Sequence, residues 1–279
     1  MSSNNLLVEL FVEELPPKAL KKLGESFAGS VLESLKSQAL TAETSVATAY
    51  ASPRRLAVHI TAVSSQAEDK AVSQKLMPVT VGLDANGNAT PALVKKLNAL
   101  GADESAVANL KRENDGKADI LFYDALVKGA SLAEALQKAV EEGLSKLPIP
   151  KVMTYQLSDG WESVNFVRPA HSLVALHGNT VVPVSVLGLQ SGNSTQGHRF
   201  EAKVSPVVLQ HADQYAETLK NDGSVIANFA ERRAEIVRQL QAAAAKVGNG
   251  ARPIEDEALL DEVTALVERP NVLTCQFET

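Results

Sequence analysis

Phe166-Val-Arg-Pro-Ala-His-Ser-Leu-Val-Ala-Leu-His-Gly-Asn-Thr-Val-Val-Pro-Val-Ser-Val-Leu-Gly-Leu189, continued by Gln190-Ser-Gly-Asn-Ser-Thr-Gln-Gly-His-Arg-Phe200, is the stretch whose reading decides the fold. Two apolar, β-rich runs, Leu173 to Leu176 and Val181 to Leu187, are joined through Gly178-Asn179, a dipeptide suited to left-handed turn positions, so the pattern predicts a hairpin. Arg168-Pro169 leads into the first strand. The second strand leaves into a polar loop, Ser191 to Arg199, that carries Ser194, Thr195, His198 and Arg199. Gly192 to Gly197 has P-loop spacing, but His198-Arg199 stands where Lys and Ser/Thr belong, and Pro206 follows too soon for a long helix. Two readings stay open for this loop: a polar connection whose glycines serve turns, or a cradle of N–H groups, hydroxyls and one planar guanidinium for a phosphodiester.

On the N-terminal side, Leu6 to Val12 suits a buried strand. Leu20, Leu23, Phe27, Val31 and Leu35 then recur at helical spacing behind Pro16-Pro17, with Glu13 and Glu14 placed to complement the helix dipole. Thr44 to Ala51 and Leu56 to Val63 read as strands around Ser52-Pro53-Arg54-Arg55, a turn that is either solvated or a rigid mount for two guanidinium groups. Val72 to Val81 adds a possible strand and Pro91 to Leu100 a helix. Asn114-Asp115-Gly116 signals a hairpin between Ala106–Arg112 and Ala118–Val127. Ser131 with Glu134 is a capping box for a helix along Leu132, Leu136, Ala139, Val140 and Leu144, and Leu147-Pro-Ile-Pro150 stops it. This corner divides the expected α+β fold, with mixed and antiparallel sheets and flanking helices, into two closely packed lobes, 1–150 and 151–279. A helix is expected from Ser205-Pro206 through Leu219. Another follows Asn228, with Phe229, Ile236, Val237, Leu240 and Ala244 inward and Arg232, Arg233 and Arg238 outward. The chain halts within an apparent strand region after Leu266, which reads as a fragment of something longer.

The 279 residues, 45% of them hydrophobic, suffice for a proper core. No run approaches the roughly 20 apolar residues of a membrane span, and no signal-like N-terminus is present, so a cytoplasmic chain without membrane contact is expected. Cys275 stands alone and is expected to be a small buried hydrophobe. A formal net charge of −6 removes any global basic field for nucleic acid. Its distribution is uneven: residues 1–150 hold 13 Lys and 3 Arg, residues 151–279 hold 4 Lys and 7 Arg, and Glu255 to Glu268 contains six acids and no base. That acidic stretch is a solvated face or a subunit contact. The histidines His59, His171, His177, His198 and His211 have no metal-ligand spacing, and hydrolase elbows, dinucleotide fingerprints and Cys-x-x-Cys are missing.

Several runs together resemble the N-terminal part of the β-subunit of bacterial glycyl-tRNA synthetase. They are Glu13-Glu-Leu-Pro-Pro-Lys-Ala-Leu20, Pro53-Arg-Arg-Leu-Ala-Val58, Leu147-Pro-Ile-Pro-Lys151, Phe166-Val-Arg-Pro169, Thr195-Gln-Gly-His-Arg-Phe200 and Leu259-Leu-Asp-Glu-Val-Thr-Ala-Leu-Val-Glu268. The resemblance implies a chain that binds glycine tRNA and assembles with a catalytic α-subunit, which holds ATP and Mg, in a tetramer of two α and two β chains; no cofactor is expected here. It also implies HD-like and anticodon-binding regions beyond residue 279, and a fold similar to a module of the phenylalanyl-tRNA synthetase β-chain. Leu10-Phe11-Val12, Thr154-Tyr155, Ser172 and Arg269 depart from the family's usual residues. With aromatics at 4%, RNA contact is expected at the backbone, through Arg54, Arg55, Arg168, His198 and Arg199. Two alternatives accompany this reading. One is an editing hydrolase with a water-holding pocket beside His198; the other is a structural module that docks the α-subunit through its acidic C-terminal helix, marked by an exposed apolar stripe on that helix.

Overall fold

In the computed structural model, residues 3–114, 116 and 118–275 are described. The strands are β1 (Ser3–Val12), β2 (Ala47–Ser52), β3 (Arg55–Ser64), β4 (Lys70–Pro78), β5 (Lys111–Asn114), β6 (Asp119–Val127), β7 (Met153–Gln156), β8 (Ser163–Phe166), β9 (Ala170–His177), β10 (Thr180–Val181), β11 (Ser185–Val186), β12 (Leu189–Gly192), β13 (Ser194–Thr195) and β14 (Val207–Val208). The helices are α1 (Pro17–Ser37), α2 (Val79–Gly82), α3 (Pro91–Ala99), α4 (Leu132–Ser145), α5 (Tyr215–Asn221), α6 (Phe229–Val247) and α7 (Glu257–Leu266). Helices and mixed or antiparallel sheets make this an α+β protein.

The chain forms two compact units, 1–67 with 131–279, and 68–130. This division differs from a cut at the Leu147–Pro150 corner. The reason is strand pairing: β9, from beyond the corner, lies antiparallel to β1 and closes one sheet across it.

In the larger unit the sheet order is β11-β12-β9-β1-β3-β2, with β10 on β9. All its pairings are antiparallel except β12 on β9, which is parallel. β1 is buried on both faces from Leu6 onward. Its even residues Leu6, Val8 and Leu10 share one face, and Leu7, Glu9 and Phe11 share the other. Over the second face lies a cluster of Leu7, Ala57, Val174, Leu176, Leu209 and Tyr215. The apolar stripe predicted for α1 is buried throughout, each large side chain contributing about 1.5–3 kcal/mol. Gly24 is where α1 meets β2: a Cβ there would lie 2.6 Å from Ala51 Cβ. The capping box at α4 forms with both reciprocal hydrogen bonds.

The hairpin at Gly178-Asn179 forms: Thr180 and Val181 pair with β9, and Val182 N–H donates to Ala175 O at 2.9 Å. Pro183 interrupts the second run, because it has no N–H for a ladder, and the chain turns through β11 and returns as β12. No helix begins at Pro206. Val207 and Val208 pair instead with Ser194 and Thr195, and a 3-10 turn over Ala212–Gln214 leads into α5 at Tyr215. Residues 267–275 contain no strand, the residues beyond lie outside the described ones, and Cys275 is exposed rather than buried.

In the smaller unit, β4, β6 and β5 form an antiparallel sheet. The core of this unit joins Leu93 and Leu97 of α3 to Leu121 of β6. The Val72–Val81 run splits into the end of β4 and α2, and residues 104–109 form a 3-10 helix where a strand was expected. Asp115, in the predicted turn, lies outside the described residues.

Candidate nucleic-acid interface

The Pro53-Arg54 turn does not face solvent. The segment entering α1 folds over it: Val12 N–H donates to Arg54 O at 2.8 Å and Leu15 N–H to Pro53 O at 2.7 Å. Arg54 and Arg55 are consequently buried, and phosphate contact is not open to either. Their charges are met internally. Arg54 Nη2 donates to Glu268 Oε2 at 2.8 Å and to Gly197 O at 2.9 Å. Arg55 donates from Nη2 to Gln196 O at 2.6 Å, and its guanidinium lies 3.6 Å from Glu9 and 3.7 Å from Glu268. Both guanidinium groups also lie over the Phe11 ring, at 5.2 and 5.5 Å. The departure Leu10-Phe11-Val12 thus supplies an aromatic floor for the two arginines.

These bonds make Arg54 and Arg55 positioning residues for the next stretch of chain. They hold the Gln196 and Gly197 carbonyls immediately before His198 and Arg199. Gly197 is pressed against Gly223, and a Cβ there would come within 2.5 Å of its carbonyl. Thr195 faces inward, and Ser194 and Thr195 belong to a strand, so the Gly192–Gly197 stretch is no phosphate cradle. Packing on the Gly197 side of His198 is therefore close.

Beyond Gly197 the chain reaches solvent. His198 Nδ1 accepts the N–H groups of Phe200 and Glu201, which leaves Nε2 to carry the ring proton. The Arg199 guanidinium is 3.7 Å from both Glu13 and Glu14 and more than half exposed. Arg168 is half-buried: Nε donates to Glu14 O at 2.9 Å, and Nη1 to Val167 O at 2.9 Å. His171 Nε2 lies 2.8 Å from Glu13. Glu13 and Glu14 therefore serve this surface rather than the α1 dipole. Of the five predicted contacts, the structure brings Arg168, His198 and Arg199 together at the rim and takes Arg54 and Arg55 into the interior. Sequence reasoning missed His171 as a member, and Phe200, 86% exposed, as a flat apolar ring beside the cations.

The His171 hydrogen bond, opposed by partial burial and reinforced by the charges of His171 and Arg199, holds Glu13 below its ordinary 4.5. A depressed carboxylate contributes stability that is present above the unfolded-state value and is lost as pH falls through the folded-state value. The urea midpoint of the wild type is therefore expected to fall more steeply than that of Glu13→Gln as pH drops below 4.5. Superimposable acid limbs would show that the bond contributes nothing to folding.

Arg232, expected outward, is fully buried. Arg233 and Arg238 do stay near the surface, bonded to Glu257 with Asp261 and to Glu235 respectively. Among the described residues there is no cluster of three metal-ligating side chains and no helix long and apolar enough to cross a membrane.

Fold and surface together describe an α+β protein whose exposed rim sets Arg168, His171 and Arg199 against Glu13 and Glu14. The family described as glycyl-tRNA synthetase beta subunit matches residues 6–279, and the chain belongs to it. Its relatives include the glycine–tRNA ligase beta subunits of Acidovorax sp. (strain JS42) and Dechloromonas aromatica (strain RCB), each 69% identical. That of Janthinobacterium sp. (strain Marseille) is 66% identical. All three alignments cover 100% of this chain but only 39–40% of the relative, so the chain spans about two fifths of their length.

Proposed function

We propose that this chain acts within a glycine–tRNA ligase, as the part of the β-subunit that holds glycine tRNA by its phosphates while an α-subunit, carrying ATP and Mg, performs the aminoacylation. The observation that carries the reading is the match, along the whole chain, to relatives that bear the ligase β-subunit name. Arg168, Arg199 and His198 are the groups assigned to the RNA. Arg199's pairs with Glu13 and Glu14 are long and exposed, a kind worth about 0–1 kcal/mol, so a phosphate can replace them. Assembly into an α2β2 tetramer in the cytoplasm, and kinship with the phenylalanyl-tRNA synthetase module, belong to the same reading. Packing beside His198 favours binding over hydrolytic editing.

The test is binding of glycine tRNA across a salt series with the Arg168→Ala/Arg199→Ala variant. Each lost phosphate contact removes about 0.7–0.9 from the log-log salt slope, so the variant is expected to lose about 1.5 in slope and about tenfold in affinity. An unchanged slope overturns the assignment. Arg54 and Arg55 are left intact, because their loss acts through folding.

A further inference from the structure

α7 does not bury its whole apolar surface. Thr264 and Ala265 face the interior, whereas Leu259, Val263 and Leu266, at four- and three-residue spacing, form an exposed stripe; Leu259 is 56% and Leu266 58% exposed. Leu259 and Val263 of the stripe line a groove of about 880 Å³ between α6 and α7, together with Ile236, Leu240 and Ile254, the last 91% exposed, and Leu266 extends the stripe beyond it. Isolated exposed aliphatics are ordinary on a protein surface; a run of them along one groove marks an interaction site. Ten residues of α7 extend about 15 Å, the length of roughly three turns of a docked helix.

Charge selects the occupant. Glu255, Asp256 and Glu257 line the groove, with Arg252 as the one cation among its described lining residues, and Glu262 of α7 adjoins Val263 of the stripe. Arg233 binds Glu257 and Asp261, but among the described residues Glu255 and Glu262 have no cationic partner. Such a rim repels RNA phosphates and anionic membrane surfaces. A second copy of this chain, meeting it about a two-fold axis, would set the same acids against each other. The complementary occupant is a helix with one aliphatic side and Lys or Arg along its edges.

We propose that this groove receives such an amphipathic, basic-edged helix from the ligase α-subunit. The inference rests on the β-subunit reading, and it places assembly on α6 and α7, apart from the Arg168–Arg199 rim.

The test measures binding of purified α-subunit to the 279-residue chain and to two variants, Leu259→Glu/Leu266→Glu and Glu255→Lys/Glu262→Lys. Leu259, Leu266 and Glu255 are exposed and Glu262 is half-buried, and thermal melts confirm that the variants fold. Both are expected to bind about tenfold or more weakly, and the charge-reversal variant to lose the salt sensitivity of binding. Equal binding by all three chains, or no binding to the wild type, overturns the proposal. So does loss of only self-association, or binding by the remaining part of the β-subunit in place of the α-subunit. Glycine tRNA binding is followed in parallel: if tRNA fails to bind while α-subunit binding is lost only in the variants, the phosphate reading falls and the groove assignment stands.

Discussion

Arg55→Met is expected to lower the free energy of unfolding by about 3–5 kcal/mol, the range for breaking a buried ion pair by removing one partner. Arg55 and Glu9 are both fully buried, and Glu268 nearly so. Glu9 sits on an otherwise apolar face of β1, in register with Ala57 of β3 and Val174 of β9. Its carboxylate has two neighbours to compensate it. One is Arg55; the other is the Tyr215 hydroxyl, which donates to it. Burial first, and the Glu9 charge second, push the Tyr215 phenol well above its usual value, so it stays protonated and remains a donor. Methionine preserves much of the arginine stem's volume, so the loss reports the missing charge rather than a cavity.

A second variant separates this account from simple packing damage. Glu9→Gln removes the charge that Arg55 compensates, so Glu9→Gln/Arg55→Met is expected to cost measurably less than the sum of the single changes, with a coupling of about 1–3 kcal/mol. Urea denaturation gives all four corners of the cycle. Strict additivity, or a cost below about 1 kcal/mol for Arg55→Met, would falsify the buried-pair account. Because Arg55 also holds the Gln196 carbonyl, the destabilised protein should lose order first at His198 and Arg199.

How much of this was legible beforehand follows from the range of the interactions. The α1 stripe and the Ser131–Glu134 capping box were readable, since each is set by residues within a few turns of one another. Arg55 read as a surface turn residue because its compensating charges come from Glu9, on another strand, and Glu268, near the far end of the described chain. Nothing local announces that pairing. The α6 pattern is different: Phe229, Arg232 and Ile236 lie at three- and four-residue spacing, so periodicity itself puts Arg232 on the inner face. The general rule that arginine faces water overrode a signal that was present. At the candidate site, Arg168, His198 and Arg199 are singled out by their Pro and Gly neighbours. His171 was missed because its partner, Glu13, reaches it only once β1 and β9 are paired.

Arg232 carries the second large expectation. Its guanidinium donates to Ile226 O at 2.7 Å, Ala51 O at 2.8 Å and Thr264 O at 2.9 Å, joining the α6 entry, β2 and α7 through one side chain. Burial, with Arg55 nearby and Glu268 opposing, lowers it to about 10, so it is still charged at neutral pH. Arg232→Met fills much of the same space but leaves three carbonyls without their charged donor. At about 1.5–3 kcal/mol for a hydrogen bond to a charged group, and with losses that do not add, the expected cost is about 3–5 kcal/mol. Arg232→Lys keeps a charge, but a single ammonium lacks the planar fork that reaches three separate elements, so it is expected to recover less than half of that loss. The distribution of the damage is the sharper measurement. Thr264 is on α7, so hydrogen exchange in Arg232→Lys should quicken on α7 before the central strands β1 and β3. Uniform acceleration along the chain would mean that Arg232 supports the whole fold equally. Selective loss on α7 would make it the bond that keeps the α6–α7 groove in shape, and α-subunit binding should then weaken in Arg232→Lys even where the central sheet stays protected.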